Sequence, residues 1–477
     1  MKTFLLSLMV IGSASFAVNA TDLIVENVVV TNLGGTTGGY YLTFTVHWKN
    51  AWRNKKNHDA AWIFAKYATQ FGSRHANLLT NDWKLLAKHP QNIPDPGVDI
   101  VAEGTGLFVY PKIEYRGDVS YRIRVSMDTE KAQRINRSTT RINVHGIEMV
   151  YIPEGSFTLG DPDTTALHFN SFYKSNDNGD PDGLMQISSE NQEIKLGKEK
   201  GDLCFRSNIA IYNGIPEGTV PATFPKGVAP FYIMKYEITQ GQYAAFLNGI
   251  GKNATYFRAN FGGKDYYQGR GSIKLKEGKY IALSPKRPLN FVSWEDGLAY
   301  ADWVGLRPMT ELEFTKACRG PGKPQSHEYP WNTSDKSKIA RIVDLDDDIK
   351  MINGWTENQL TDNNRAVFGA SYYWVMDLAG SVWEKTITIG HPKGRAFRGS
   401  HGDGQITSNG DATNEDWPRG NNEEGGYGYR GGGYYEHHKP EGEFNPHSPI
   451  AYRRFGSWAG GPRSIAYGFR CVRTATK

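Results

Sequence analysis

The stretch YRGGGYYEHHKPE, residues 429–441, brings together side chains that can bind a metal ion. These are Glu436, His437, His438 and Glu441, joined by His401 and Asp403 from GSHGDG. Carboxylate and imidazole groups suit zinc or non-haem iron. Because adjacent residues of an extended loop point to opposite sides, only one of the two histidines would bind the metal. The candidates for catalysis are therefore Glu436, His437 and Glu441.

The same region is rich in aromatic rings with polar edges, which favours a second interpretation. Such rings are enriched in binding interfaces and can stack on sugars. This hypothesis assigns ligand binding to Trp417, Tyr427, Tyr429, Tyr434, Tyr435, His438 and Trp458. The ligand would be an extracellular protein or a glycan. A third interpretation is a polar loop at the rim of the fold that binds nothing.

Three segments carry the start signal of a helix. Each has Thr or Ser followed three places later by Gln, Asp or Glu, which is the capping-box pattern. The pairs are Thr239 with Gln242, Ser293 with Asp296 and Thr310 with Glu313, and the expected stops are Gly249, Gly305 and Gly320. Short helices among glycine-rich loops indicate an α+β region. A parallel α/β sheet is disfavoured because strands and helices do not alternate.

The first part of the chain alternates apolar and polar residues. Leu42, Phe44, Val46 and Trp48 lie on one side of a predicted strand, and residues 121–127 repeat the pattern. We therefore predict a β-sandwich domain over residues 21–145. Residues 146–477 would form a second domain with little regular secondary structure.

Residues 1–20 have the layout of a cleavable secretory signal, with one lysine, an apolar run and small residues that end at Ala20. We expect a bacterial protein that is secreted, periplasmic or bound at the cell surface. No later apolar run is long enough for a membrane span. The net charge of +5 is spread without long blocks of like charge, which disfavours nucleic acid as a partner. Three cysteines, Cys204, Cys318 and Cys471, are too few for a disulfide scaffold.

Six motifs occur in one order along residues 146–477. They are GIEMVYIPEGSFTLGD, FYIMKYEITQGQYAAFLN, RPLNFVSWEDGLAYADWVGLRPMTELEFTKACRG, YPWN, MDLAGSVWE and YGFRCVR. In this order they resemble the formylglycine-generating enzyme family, also called sulfatase-modifying factors. The resemblance implies a fold related to C-type lectins. It leaves residues 21–145 outside the match.

The resemblance implies copper chemistry that this sequence lacks the thiols to perform. The family's enzymes oxidise a sulfatase cysteine with copper held by two thiolates, in a motif that resembles Arg-Gly-Gly-Ser-x-x-Cys-x-x-x-x-Cys. Aligned on Arg430, this motif puts Glu436 and Glu441 at the thiol positions. Cu(I) prefers soft sulfur ligands, so copper and the oxidase activity are not expected. Cys318 and Cys471 match other family positions and are expected to be buried free thiols.

The resemblance also implies a structural calcium ion around Asn-x-x-Gly-Asn-x-Trp-Glu. Here DLAGSVWE offers the carboxylates of Asp377 and Glu384 and the backbone carbonyls of Gly380 and Val382. Oxygen ligands of this kind suit a hard cation. The alternative is that Trp383 anchors a turn in the core and Glu384 forms a salt bridge.

Two hypotheses of function follow. The first is an exported two-domain protein, without the copper oxidase activity, that binds a ligand or belongs to an extracellular assembly. A lectin-like binder that uses the aromatic loops is a variant of it. The second is an oxidoreductase on the same fold that uses non-haem iron or zinc.

Overall fold

The chain is rich in β-strands and has few helices. The computed structural model describes residues 23–32, 39–69, 72–128, 142–335, 337, 339, 341–343, 349–351, 359, 361–420, 425–433, 435–436, 439–440, 448–461 and 463–475. The strands of these residues are β1 (Ile24–Asn32), β2 (Tyr40–Arg53), β3 (Asp59–Thr69), β4 (Gly72–His75), β5 (Leu78–His89), β6 (Pro96–Ile100), β7 (Leu107–Pro111), β8 (Tyr115–Met127), β9 (Ile142–Ile152), β10 (Phe157–Leu159), β11 (Tyr173–Lys174), β12 (Met185–Ile187), β13 (Ile194–Leu196), β14 (Leu203–Cys204), β15 (Gly218–Val220), β16 (Phe231–Met234), β17 (Ile273–Lys276), β18 (Lys279–Ala282), β19 (Arg307–Pro308), β20 (Arg341–Val343), β21 (Ile349–Met351), β22 (Trp383–Ile387), β23 (Tyr427–Arg430), β24 (Tyr435–Glu436), β25 (Lys439–Pro440), β26 (Tyr467–Gly468) and β27 (Cys471–Thr474). The α-helices are α1 (Gln240–Gly249), α2 (Lys252–Arg258), α3 (Gly263–Gln268), α4 (Trp294–Trp303), α5 (Glu311–Arg319), α6 (Arg365–Phe368) and α7 (Pro392–Arg395).

Two sheets dominate the first part of the chain. Strands β1, β2, β8 and β5 form a four-stranded sheet, in that order. A larger sheet of eight strands has the order β19-β27-β16-β9-β3-β7-β6, and β4 also pairs with β3. The four-stranded sheet and one face of the larger sheet share a hydrophobic core. The predicted alternation of β2 is confirmed, since Leu42, Phe44, Val46 and Trp48 are all buried in this core.

Strand β3 lies in the middle of the larger sheet and is buried on both faces. Ala61, Ile63 and Ala65 pack into the core shared with the four-stranded sheet. The intervening Trp62 and Phe64 point to the opposite face and pack into a second, larger core. A strand covered on both faces needs apolar residues at successive positions, which explains the unbroken apolar run AAWIFA.

The larger sheet crosses the predicted domain boundary between residues 145 and 146. That boundary falls inside β9, which pairs with β3 along Asp59–Tyr67 on one side. On its other side β9 pairs with β16, and β16 pairs with β27 near the end of the chain. Hydrogen bonding continues across β9 on both of its edges, so the predicted boundary falls inside a sheet to which both regions contribute strands. The two regions share one sheet and its core.

The three helices predicted from capping boxes are confirmed as α1, α4 and α5. At the start of α5, Thr310 Oγ1 accepts from the backbone N–H of Glu313 (3.1 Å), and the Glu313 carboxylate accepts from the N–H of Thr310 (3.0 Å). The same reciprocal bonds begin the other two helices. Gly305 and Gly320 follow α4 and α5 with φ angles of 73° and 67°, which glycine adopts without steric cost. Among the described residues, no helix combines the length and apolar character needed to cross a membrane.

Candidate functional site

The stretch with the predicted metal ligands begins on β23. This strand pairs with β22 so that Arg430 lies opposite Glu384. It continues into Gly431 and Gly432, whose φ angles of 90° and 81° favour glycine. The structure describes the backbone of β24 but not the side chains of Tyr435 and Glu436, and Tyr434, His437, His438 and Glu441 lie outside the described residues. The catalytic, metal-binding and ligand-binding roles of these residues stay predictions.

Arg430 anchors the start of this stretch in the core. Its guanidinium group donates to the carbonyl oxygen of Ile450 (2.6 Å) and lies 3.4 Å from a carboxylate oxygen of Glu311. The group also lies over the ring of Phe314, 4.8 Å from its centroid. Burial lowers the pKa of Arg430 to about 10, and the Glu311 carboxylate opposes that shift. Arg430 is therefore charged at neutral pH and holds the glycine stretch against α5.

Three of the aromatic residues predicted to bind a ligand are buried. Trp417, Tyr427 and Tyr429 are 2%, 0% and 0% exposed. Both tyrosine hydroxyls donate to backbone carbonyls at 2.7 Å, and the indole N–H of Trp417 donates to another. With their faces packed and their polar edges bonded, these rings belong to the core, and the prediction that they form an exposed stacking surface is wrong. Trp458 is partly exposed.

His401 and Asp403 also accept hydrogen bonds from backbone N–H groups. The Nε2 atom of His401 accepts a hydrogen bond from the backbone N–H of Thr474 (3.1 Å). Burial holds the pKa of His401 well below its usual range, so the ring is neutral. Asp403 accepts from the backbone N–H of Gln405 (2.8 Å). In the described part of the chain, no group of three or more His, Cys, Asp or Glu side chains is arranged to hold a metal ion.

The turn predicted to bind calcium, residues 377–384, has an irregular backbone. Asp377, Gly380 and Ser381 have φ angles of 58°, 92° and 61°. The N–H of Gly380 donates to the carbonyl of Gly431 (2.8 Å), which joins this turn to the glycine stretch after β23. The Asp377 carboxylate and the carbonyls of Gly380 and Val382 are oxygen donors of the kind that a hard cation takes.

Glu384 forms a salt bridge and does not fit the predicted role of calcium ligand. Both of its carboxylate oxygens accept from Arg470, at 2.7 to 3.0 Å. Arg470 also donates to the carbonyls of Met234 and Met376, and both charged side chains are buried. Two oxygens that already share one guanidinium group are not available to a metal ion. The structure thus matches the alternative interpretation of Glu384.

A further carboxylate near this turn, Glu237, was missed by the sequence reasoning. Glu237 is 1% exposed, and neither of its oxygens has a hydrogen-bond partner among the described residues. Arg470 Nη2 lies 3.7 Å from its Oε2 atom. Burial, and next the negative charge of Asp377, raise the pKa of Glu237 well above its usual range. The available signal was an acidic residue three positions after the end of the buried strand β16.

A small cleft opens beside the same turn. Its lining offers two guanidinium groups, two amides and a hydroxyl from Gln240, Arg270, Arg287, Pro288, Asn290, Ser381 and Val382. Such a lining suits a polar or anionic group rather than an apolar ligand. Ser381 and Val382 belong both to the cleft and to the turn. A ligand in the cleft would therefore contact the turn.

The three cysteines are free thiols. Cys318 and Cys471 are buried, as predicted, and pack in two different apolar clusters. Burial raises the pKa of all three thiols, including the half-buried Cys204. Burial thus favours the protonated form of each thiol at neutral pH.

Comparison with known proteins gives relatives of the later part of the chain. A formylglycine-generating enzyme of Thermomonospora curvata is 32% identical over 108 residues, which is 22% of this chain and 35% of that protein. A hercynine oxygenase of Mycobacterium tuberculosis is 26% identical and covers 23% of this chain and 28% of its own length. The formylglycine-generating enzyme of Bos taurus is 22% identical over a match that covers 36% of this chain and 51% of that protein. The chain spans about half the length of these relatives or less.

The family itself is defined over a longer stretch. The sequence pattern of the sulfatase-modifying factor enzyme 1-like domain matches residues 190–475, more than half of the chain. The match includes the three capped helices, the turn at residues 377–384 and strands β23 and β27. The chain therefore belongs to the sulfatase-modifying factor family, which includes the formylglycine-generating enzymes.

Proposed function

We propose that this chain is an exported member of the family that has no copper-dependent cysteine oxidase activity and acts by binding a ligand or by joining an extracellular assembly. Its partner would be an extracellular protein or a glycan. The β-sandwich and the C-type-lectin-related architecture predicted from the sequence belong to the same proposal.

The observation that carries this proposal is the lack of a thiol pair. The sequence has three cysteines, and none lies between Cys318 and Cys471. The resemblance puts Glu436 and Glu441 where the oxidases hold copper with sulfur. Carboxylates are hard ligands, whereas Cu(I) selects soft ones. The thiols of Cys318 and Cys471 do not replace that pair, because they pack in two different apolar clusters and burial favours their protonated form.

The test is a copper and oxidation assay on residues 21–477. We expect no stoichiometric Cu(I) binding, and no formylglycine by mass spectrometry when a Cys-x-Pro-x-Arg peptide is incubated with the protein and added copper. A variant with Glu436→Cys and Glu441→Cys should gain Cu(I) binding, since it restores both thiols. Formylglycine produced by the unsubstituted protein would refute the proposal.

Calcium is part of the proposal as a structural ion, with a changed ligand set. Asp377 and the carbonyls of Gly380 and Val382 fit a hard cation. Glu384 does not, because Arg470 occupies both of its oxygens. Glu237 is the buried carboxylate that is coupled to Asp377 by charge and has no hydrogen-bonded oxygen in the described part of the chain. We therefore assign to Glu237 the role of calcium ligand that was predicted for Glu384. The bound ion would offset the repulsion between the two carboxylates.

Calcium should therefore stabilise the protein, and Glu237→Gln should remove that effect. A ligand at about 100 times its Kd adds roughly 2.7 kcal/mol to the free energy of unfolding. The measurement is the unfolding midpoint of chelator-treated protein with and without added calcium. Glu199→Gln is the matched control, because Glu199 is an exposed acid whose side chain is 78% accessible. No shift of the midpoint would exclude calcium, and a full shift in Glu237→Gln would exclude Glu237 as its ligand.

The similarity to hercynine oxygenase favours a second candidate function, a metal-dependent oxidoreductase that uses iron or zinc. Its ligands would be Glu436, His437 and Glu441. Elemental analysis of protein purified without chelator distinguishes the two functions. Near-stoichiometric iron or zinc that disappears in Glu436→Ala would favour the oxidoreductase. Calcium alone, unchanged in that variant, would favour the binding protein.

A further inference from the structure

Three side chains from distant parts of the chain form a hydrogen-bonded series outside the sites described above. Asp163 Oδ2 lies 2.8 Å from His327 Nε2, and His327 Nδ1 lies 3.0 Å from the hydroxyl of Tyr452. An ionised carboxylate can only accept, so Nε2 carries the ring proton and Nδ1 accepts from the phenol. The order carboxylate, imidazole, hydroxyl is the order that activates a nucleophile in hydrolytic triads.

The backbone and neighbouring rings hold this series in place. His327 has a φ angle of 53°, and its backbone N–H donates to Asp161 (2.8 Å). The ring of Tyr452 stacks on Phe169, with centroids 3.9 Å apart and an angle of 13°. A left-handed conformation at a residue other than glycine carries strain and is concentrated at functional positions. The imidazole is thus fixed between its two partners.

The series is open to solvent, so a substrate can reach it. The side chains of His327 and Asp163 are 34% and 35% exposed. Tyr452 is also partly exposed. A backbone hydrogen bond from Thr165 is the largest effect that lowers the pKa of Asp163, which keeps that carboxylate ionised at neutral pH. These three groups are poised for proton transfer at the surface of the molecule.

We propose that Tyr452 is a nucleophile, activated by His327 and Asp163, that takes the acyl group of an activated ester. The phenolic oxygen forms a bond to the carbonyl carbon while His327 Nδ1 takes the phenolic proton. The bond between that carbon and the leaving oxygen then breaks, and the leaving group takes the electron pair. His327 returns the proton to the leaving group or to water. The product is an acylated Tyr452, and no oxidant or reductant is needed.

General-base assistance is essential to this reaction. Burial raises the pKa of Tyr452 to about 12, so free phenolate is scarce at neutral pH. Histidine is the side chain suited to accept a proton in this range, and such assistance contributes about 100-fold or more. This activity is independent of the proposed ligand-binding role and of the copper site. Failure of either proposal would leave the other unaffected.

The experiment treats residues 21–477 with p-nitrophenyl acetate and maps acetylated peptides by mass spectrometry. Tyr452→Phe keeps the ring that stacks on Phe169 and removes only the reacting oxygen. His327→Gln removes the base, and Asp163→Asn removes the charge that orients it. Tyr256, which is 79% exposed, provides a reference phenol in the same molecule. The unfolding midpoint of each variant shows whether the fold is intact.

We expect Tyr452 to be acetylated well before Tyr256. The rate of acetylation of Tyr452 should fall by about 100-fold in His327→Gln. The rate should level off once the imidazole is neutral, whereas an unassisted phenol reacts faster up to its own pKa. If His327→Gln fails to fold, Asp163→Asn tests the proposal instead. This variant must slow the acetylation of Tyr452 and shift the pH dependence of its rate. Acetylation of Tyr452 no faster than of Tyr256, or unchanged in the folded variants, would overturn the proposal and leave the three residues a structural link between loops.

Discussion

Replacement of Glu311 by alanine is expected to destabilise the protein by about 3 to 5 kcal/mol, the cost of removing one partner from a buried ion pair. Glu311 is the first residue of α5 and is 0% exposed. Its carboxylate accepts from Arg453 twice, at 2.8 and 3.0 Å. Arg430 lies 3.4 Å away on another side.

Two arginines depend on this single carboxylate, which is why the effect should be large. Arg430 and Arg453 are 1% and 0% exposed, so water cannot replace the lost charge. Glu311 also accepts from the hydroxyl of Thr388 (2.8 Å) and the N–H of Ile389 (2.9 Å), which would lose their acceptor as well. The substitution thus leaves two buried cations and two buried donors without this partner.

Denaturant unfolding measures the loss of stability in Glu311→Ala, and Glu199→Ala is the control for an exposed ion pair. Glu199 pairs with Lys195 on the surface, where the two side chains are 78% and 57% exposed. Glu199→Ala should leave the free energy of unfolding nearly unchanged, since solvent screens an exposed pair and it contributes little to stability. Equal effects of the two substitutions would mean that the Glu311 cluster does not stabilise the fold.

Local signals in the sequence predicted local structure well. The capping boxes at Thr239, Ser293 and Thr310 each begin a helix, because the reciprocal bonds involve residues only three positions apart. The alternation around Phe44 predicted a strand with one face in a core, because the strand period acts over neighbouring residues. These elements needed no knowledge of the rest of the chain.

Long-range partners were not predictable in this way. Glu384 looks like a metal ligand in its motif, and only the approach of Arg470, 86 positions later, shows that its oxygens are taken. Tyr427 and Tyr429 have rings with polar edges that suit a binding surface, but carbonyls some 30 positions later accept from their hydroxyls inside the core. A side chain's type states what it can bind. Its tertiary neighbours decide what it does bind.

That the boundary near residue 145 lies inside a strand was not predictable for the same physical reason. A change of sequence texture marks where one pattern ends, but strands pair across such a change when their hydrogen-bonding edges meet. β9 takes β3 on one edge and β16 on the other. Trp62 on β3 reinforces the join, since its indole N–H donates to the carbonyl of Val304 (2.9 Å), beyond the end of α4. The earlier and later regions therefore stabilise each other.

A fragment of residues 146–477, which contains the whole family match, is consequently expected not to fold alone. Its part of β9 would lose β3 and present an unpaired strand edge, which favours aggregation. Ile147 and Met149 would lose the apolar cover of Trp62 and Phe108 from the missing strands. Expression of this fragment beside residues 21–477 should give aggregated protein or protein without a cooperative unfolding transition.

The substitution Trp62→Ala tests the same dependence within the intact chain. Loss of a fully buried tryptophan costs about 3 to 5 kcal/mol, and this ring packs against Phe108 and carries the guanidinium of Arg473, 5.2 Å from its centroid. If the two regions form one unit, the loss of this tryptophan from β3 must also lower the stability of strands near the end of the chain. Hydrogen exchange should then show faster exchange in β16 and β27 as well as in β3. Two results together would contradict this dependence: cooperative unfolding of the fragment of residues 146–477, and faster hydrogen exchange in Trp62→Ala that is confined to residues before β9. They would show that the later region is stable without the earlier strands.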